Sequence, residues 1–161
     1  MNKYYVYVIS VLIIFTLNKN IFSQTEEKTI NTYDSLLAKK YGADDYGMKV
    51  YVMAFLKAGK IKSANKEESN KLQMEHLNNI IRLANEGKLL LAGPFMDNQE
   101  IRGIYIFDVK TIEEAEELTS TDPAIKAGVL EMELHLWYGS AALMELNKIH
   151  NTIQKSSITD Q

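Results

Sequence analysis

From Met48 to Leu56 apolar side chains fall alternately on the two sides of an extended chain. Val50, Val52, Ala54 and Leu56 lie on one side, and Tyr51, Met53 and Phe55 on the other. A period of two predicts a β-strand. After a loop at Ala58–Ser63 the period changes. Leu72, His76, Leu77, Ile80, Leu83 and Ala84 recur at steps of three and four, which predicts a helix from about Asn65 to Glu86 with that stripe buried. Asn65 and Glu68 stand at capping-box spacing at its start, and Gly87 caps its end. Leu89 to Ala92 reads as a short strand stopped by Gly93-Pro94, and Phe95 to Ile101 as a hairpin-length loop. Arg102 to Asp108 alternates again, with Ile104 and Ile106 opposite Tyr105 and Phe107. Thr111 and Glu114 repeat the capping-box spacing before a second helix containing Ile112, Ala115 and Leu118. In the last strand, Val129 to Tyr138, Leu130, Met132, Leu134 and Leu136 oppose Glu131, Glu133, His135 and Trp137. Ala141 to Ile149 is weakly helical.

The order β-α-β-β-α-β predicts an α+β domain: a four-stranded antiparallel sheet with both helices on one face. The aliphatic sides of the first and last strands then meet the helices. The other face carries Tyr51, Phe55, His135 and Trp137 with two glutamates, and needs a cover from another chain, a ligand or the C-terminal segment. A homodimer is the simplest cover.

The ends differ in composition. Met1-Asn2-Lys3 gives a positive start, and Tyr4 to Leu17 is an apolar run short of the roughly 20 residues that span a bilayer. Cleavage after Ser23 is expected, with export to the periplasm or beyond and no stable membrane span afterwards. The expected organisation is a signal peptide over 1–23, a linker with a transient helix over 24–46, the domain over 47–147 and a flexible tail over 148–161.

The net charge is −3, and losing Lys3 and Lys19 with the leader leaves −5. A mildly acidic domain without a basic cluster is a poor partner for nucleic acid. With no cysteine, thiolate catalysis, disulfides and cysteine-held metals are excluded.

Several short signatures, in this order and spacing, resemble the YCII-related family of the dimeric α/β-barrel, ferredoxin-like group. They are Tyr51-Val52-Met53-Ala54-Phe55, His76-Leu77, Leu91-Ala92-Gly93-Pro94-Phe95, Arg102-Gly103, Asp122-Pro123 with Ala127-Gly128, and Glu133-Leu134-His135-Leu136-Trp137-Tyr138-Gly139. The resemblance implies a small dimer with an active site built on a histidine and an aspartate. It also implies proton-transfer chemistry of lyase or isomerase type, since one such protein dehydrochlorinates a chlorinated hydroxyquinol and related folds isomerise lactones. His76 falls on the family's helix histidine and Asp122 on the aspartate of its Asp-Pro motif. No cofactor is implied.

Each assignment has a plainer competitor. His76, in an apolar stripe, is either a base whose tautomer a carboxylate fixes or a core histidine bonded to a carbonyl. Asp122, Pro123 and Gly128 also describe one capped helical turn. Glu131, Glu133 and His135 carry metal-binding groups, but alternate strand positions suit a solvated or dimer-facing strip better, and no metal site is expected. Gly93-Pro94 ends a strand and lets backbone approach a pocket, and Arg102 either orients an anionic substrate or is a common strand-end residue. Tyr51, Phe55, His135 and Trp137 are the candidate ring-holding surface. The two functions in competition are a proton-transfer enzyme on a small cyclic substrate and a non-catalytic dimeric module binding a ligand or partner.

Overall fold

A computed structural model describes residues 32–97 and 99–160. The leader expected over 1–23 lies outside the described residues, as do the first residues of the expected linker. The chain divides into Met1–Tyr33 and a unit from Asp34 to Gln161. The elements below belong to the second unit.

Helix α1 (Ser35–Tyr41) lies within the stretch read as linker. Asp34 accepts the Leu36 and Leu37 N–H groups at its start, and Gly42 ends it at φ 66°. Strand β1 (Met48–Ala58) is followed by α2 (Lys66–Asn85), β2 (Leu89–Pro94) and β3 (Ile101–Phe107). Then come α3 (Ile112–Thr119), the single turn α4 (Pro123–Lys126) and β4 (Leu130–Ser140). A 3-10 turn (Ala141–Glu145) leads into α5 (Leu146–Ile153), which enters the segment read as tail. Among the described residues no helix is long and apolar enough to cross a membrane.

Both capping spacings hold. Asn65 accepts from Glu68 N–H at 2.9 Å and Thr111 from Glu114 N–H at 3.2 Å. The glutamates reach back one residue further than a standard capping box, to Ala64 N–H and Lys110 N–H. Each helix start therefore has both of these donors satisfied.

The strands pair in the order β2-β3-β1-β4, every neighbour antiparallel. With the helices, this α+β arrangement fits a ferredoxin-like fold. Val52 and Ala54 of β1 pair with Phe107 and Tyr105 of β3, and these four side chains form the core under α2 and α3. Leu83 and Ala115 supply the helix side of that core. A fully buried leucine such as Leu83 contributes roughly 1.5–3 kcal/mol of transfer free energy, enough to dock a helix that also carries polar groups inward.

On the opposite face Tyr51, Leu90 and Ile106 are buried beneath Trp137, Leu143 and Met144. The C-terminal segment therefore covers one end of the aromatic face. Leu89 pairs with Phe107 but Leu91 with Ile106, so a bulge at Leu90 turns two consecutive leucines toward this second cluster.

Candidate functional site

The site begins with a polar residue in an apolar stripe. His76 lies on the inward face of α2, and the short turn after α3 brings Asp122 against it. His76 Nδ1 lies 2.7 Å from Asp122 Oδ2, with the two side chains 7% and 1% exposed. Asp122 also performs the capping role that its motif suggested: Oδ1 accepts the Ala124 N–H at 2.9 Å, with Pro123 at the first helical position. Because the two oxygens take different partners, the capping and pairing roles coexist.

The α4 turn is pinned from the end of β1. Gly59 N–H donates to Val129 at 2.8 Å and Ile61 N–H to Gly128 at 3.0 Å. A side chain at 59 would place its Cβ 2.1 Å from the Gly128 carbonyl oxygen, so this crossing requires glycine. Gly128 itself lies at φ 68°, the left-handed conformation in which the chain leaves the turn.

Tyr105, on the helix-facing side of β3, completes the group. Its hydroxyl stands 3.2 Å from His76 Nε2 and its ring stacks on the imidazole with centroids 6.2 Å apart. Burial, reinforced by the Asp122 charge, pushes the phenol well above its ordinary value of 10, so the hydroxyl stays protonated. A neutral imidazole satisfies both contacts: Nδ1–H donates to Asp122 and Nε2 accepts from the Tyr105 hydroxyl. Burial alone would raise the Asp122 pKa. The hydrogen bond from His76, the positive charge that its ring carries once protonated, and the Ala124 and Asn79 donors outweigh it and hold the carboxyl below its ordinary 3.8.

The network continues outward. Asn79, one turn after His76, donates from Nδ2 to Asp122 Oδ2 at 3.4 Å. Its Oδ1 accepts from Arg82 Nη2 at 2.8 Å, and the Thr121 hydroxyl lies 3.0 Å away. Asn79 and Thr121 help line an open groove with Glu75, Asn78, Arg82 and Pro123. His76 and Asp122 are not among its lining residues; Asn79 stands between them and the groove.

The remaining candidates lie elsewhere. Tyr51, Phe55, His135 and Trp137 are on the opposite face, so within one chain the sheet separates them from His76 and Asp122. Tyr51 packs 6.0 Å from Trp137 and bonds the Ser140 carbonyl at 3.0 Å; burial, with Asp108 adding, raises its phenol to about 12. Phe55 meets His135 edge-on at 5.6 Å. His135 bonds Glu133 at 2.8 Å, and Lys57 takes the other carboxylate oxygen, so these alternate side chains converge rather than splay. Gly93 pairs with Ile104, next to Phe55 across the sheet, and the exposed Arg102 follows the same alternation. Pro94 is exposed at the end of β2. His150 is exposed on α5.

Three participants escaped the sequence reading: Tyr105, Asn79 and Arg82. A signal existed for the first. A tyrosine on the core side of a strand buries a hydroxyl that needs a partner.

The family model of the YCII-related domain matches residues 51–137, more than half of the chain. That span holds the whole His76, Asp122, Tyr105 and Asn79 group. No curated protein matches the sequence.

Proposed function

This chain belongs to the YCII-related family, and from that premise we propose that it is a proton-transfer enzyme of lyase or isomerase type acting on a small cyclic, oxygenated substrate. One observation carries the reading: the 2.7 Å contact of His76 Nδ1 with a carboxylate that is fully buried. Asp122 fixes the tautomer, leaves Nε2 as the basic nitrogen and stabilises the imidazolium formed when Nε2 takes a proton. The Tyr105 hydroxyl holds Nε2 at 3.2 Å, so a substrate reaches it by taking that hydroxyl's place.

In the proposed step Nε2 removes a proton from a ring carbon beside a carbonyl or hydroxyl. The C–H electron pair forms a carbon–carbon double bond. In elimination a leaving group departs from the adjacent carbon with its bonding pair and the imidazolium gives its proton to water. In isomerisation the carbonyl π pair moves to oxygen as an enolate, which collapses as the imidazolium returns the proton to a carbon further along the conjugated system. Both routes balance without a cofactor. Because the aromatic face lies across the sheet from the pair, the reading assigns Phe55 and His135 to a homodimer contact rather than to the substrate. Export remains part of the reading, on the strength of the leader composition.

A second reading has its own support. Both ring nitrogens of His76 are engaged and its side chain is 7% exposed, as suits a structural histidine in a non-catalytic dimeric binding module.

The test is turnover of a panel of halogenated hydroquinones, cyclic hydroxyketones and enol lactones by the wild type and by His76→Asn. Turnover that disappears in a folded His76→Asn variant supports the enzyme. Equal turnover by the variant rejects it, and a wild type inert toward the panel favours the binding module.

A further inference from the structure

The Asn79 amide can face only one way. Its Oδ1 looks at the Arg82 guanidinium, which can only donate, while its Nδ2 looks at the Asp122 carboxylate, which can only accept. Reversing the amide would set donor against donor on one side and acceptor against acceptor on the other. Thr121 does not set this orientation. Its hydroxyl has one proton, and the Leu118 carbonyl at 2.6 Å is a closer acceptor than Asn79 Oδ1 at 3.0 Å. Arg82 is the partner that fixes the amide.

Asn79 is buried at 8% exposure, whereas the Arg82 side chain is 45% exposed and lines the groove. A continuous run of hydrogen bonds therefore leads from a solvent-facing guanidinium to the buried pair: Arg82 to Asn79, Asn79 to Asp122, Asp122 to His76, His76 to Tyr105. Hydrogen bonds in such chains polarise one another, so a change at one end is felt along it.

We propose that Asn79 is a positioning residue that couples Asp122, and through it His76, to the state of Arg82 in the groove. An anionic group docking on Arg82 draws its N–H groups away from Asn79. The amide then donates less strongly to Asp122, and more of the carboxylate's charge falls on His76. The physical coupling stands by itself; its catalytic meaning rests on the proton-transfer reading.

The test uses the full chain labelled with 15N-histidine and reads the two ring-nitrogen shifts of His76, identified by their loss in His76→Asn. Arg82→Gln removes a charged donor that touches neither His76 nor Asp122, although its Nη2 also bonds Thr121 Oγ1 at 2.8 Å and its Nη1 bonds Glu86 at 2.8 Å, and is expected to move those shifts by more than a line width. Asn79→Ala is expected to move them further in the same direction. Lys126→Gln removes a surface cation from the Asp122 turn without touching the chain of bonds, and is expected to leave them in place. Unchanged shifts in Arg82→Gln, or an equal displacement in Lys126→Gln, would overturn the proposal. Because the surface variant Arg82→Gln carries the result, loss of folding in Asn79→Ala does not spoil it. The readout needs no substrate, so a failure of the enzyme reading stays distinct from a failure of the coupling.

Discussion

Replacing Asp122 with Asn preserves the side chain's size and capping oxygen while removing its charge. Asn caps helices about as well as Asp, so the Ala124 N–H keeps its acceptor. The damage falls at Oδ2, which faces His76 Nδ1 at 2.7 Å and Asn79 Nδ2 at 3.4 Å. An NH2 group there points hydrogens at two donors. The imidazole can respond by moving its proton to Nε2, but Tyr105 must then accept and find another partner for its own hydrogen. A hydrogen bond to a charged group contributes about 1.5–3 kcal/mol, and removing one member of a buried pair costs about 3–5 kcal/mol. With shape and cap retained, Asp122→Asn should cost about 2–3 kcal/mol. Asp122→Ala also loses the cap, about 1 kcal/mol, and should fall at about 3–4 kcal/mol. Urea unfolding at neutral pH, with matching slopes, measures both.

The pH dependence has a definite sign. The native Asp122 carboxyl is held below 3.8, so its contribution is fully present above that value and is lost as pH falls through the lower native one. The part of the gap between wild type and Asp122→Asn that this carboxylate supplies should close as the pH falls below 3.8. A cost under about 0.5 kcal/mol at neutral pH, within the range of an ordinary surface substitution, or a gap that stays open in acid well below 3.8, would refute the reasoning.

Other consequences follow from single contacts. Tyr105→Phe strips the donor from His76 Nε2 and should cost about 1–2 kcal/mol in urea unfolding, with the change in the His76 ring-nitrogen shifts concentrated at Nε2. Gly59→Ala drives a methyl group into the Gly128 carbonyl and should cost about 1–3 kcal/mol while disturbing the Asp122 turn, visible as amide shift changes over Asp122–Val129. Asn65→Ala removes the N-cap of α2 far from the pair, and should lower stability by about 1 kcal/mol with the His76 resonances unmoved.

Much of the fold was legible because β1, β3 and β4 each present two different faces, and alternation reveals that directly. The α2 stripe and both N-caps were equally clear, since Asn65 and Thr111 sit three residues ahead of a glutamate. The β2 bulge was not: Leu89, Leu90 and Leu91 are chemically alike, so nothing in them marks where the register slips. Helix α1 was hard to read because Leu36 stays exposed and only Asp34 and Gly42 mark its ends. His76 and Asp122 emerged through family resemblance, since a histidine in a stripe and an Asp-Pro turn are ambiguous apart. Their separation from Tyr51 and Phe55 was implicit in the alternation, because Tyr105 shares a face with Ala54 and not with Phe55. Asn79 was missed because an amide reads as a surface residue until its partners, Asp122 and Arg82, are placed around it.

Solvent deuterium entering a carbon position of a ring substrate reports base catalysis at that carbon and nothing else in the fold. In D2O the wild-type protein is expected to exchange a proton next to the carbonyl or hydroxyl of the compound it turns over, and folded His76→Asn to exchange none above the uncatalysed rate. Exchange by His76→Asn at the wild-type rate would contradict the account, because the proton would then be moving through some group other than the imidazole that Asp122 holds.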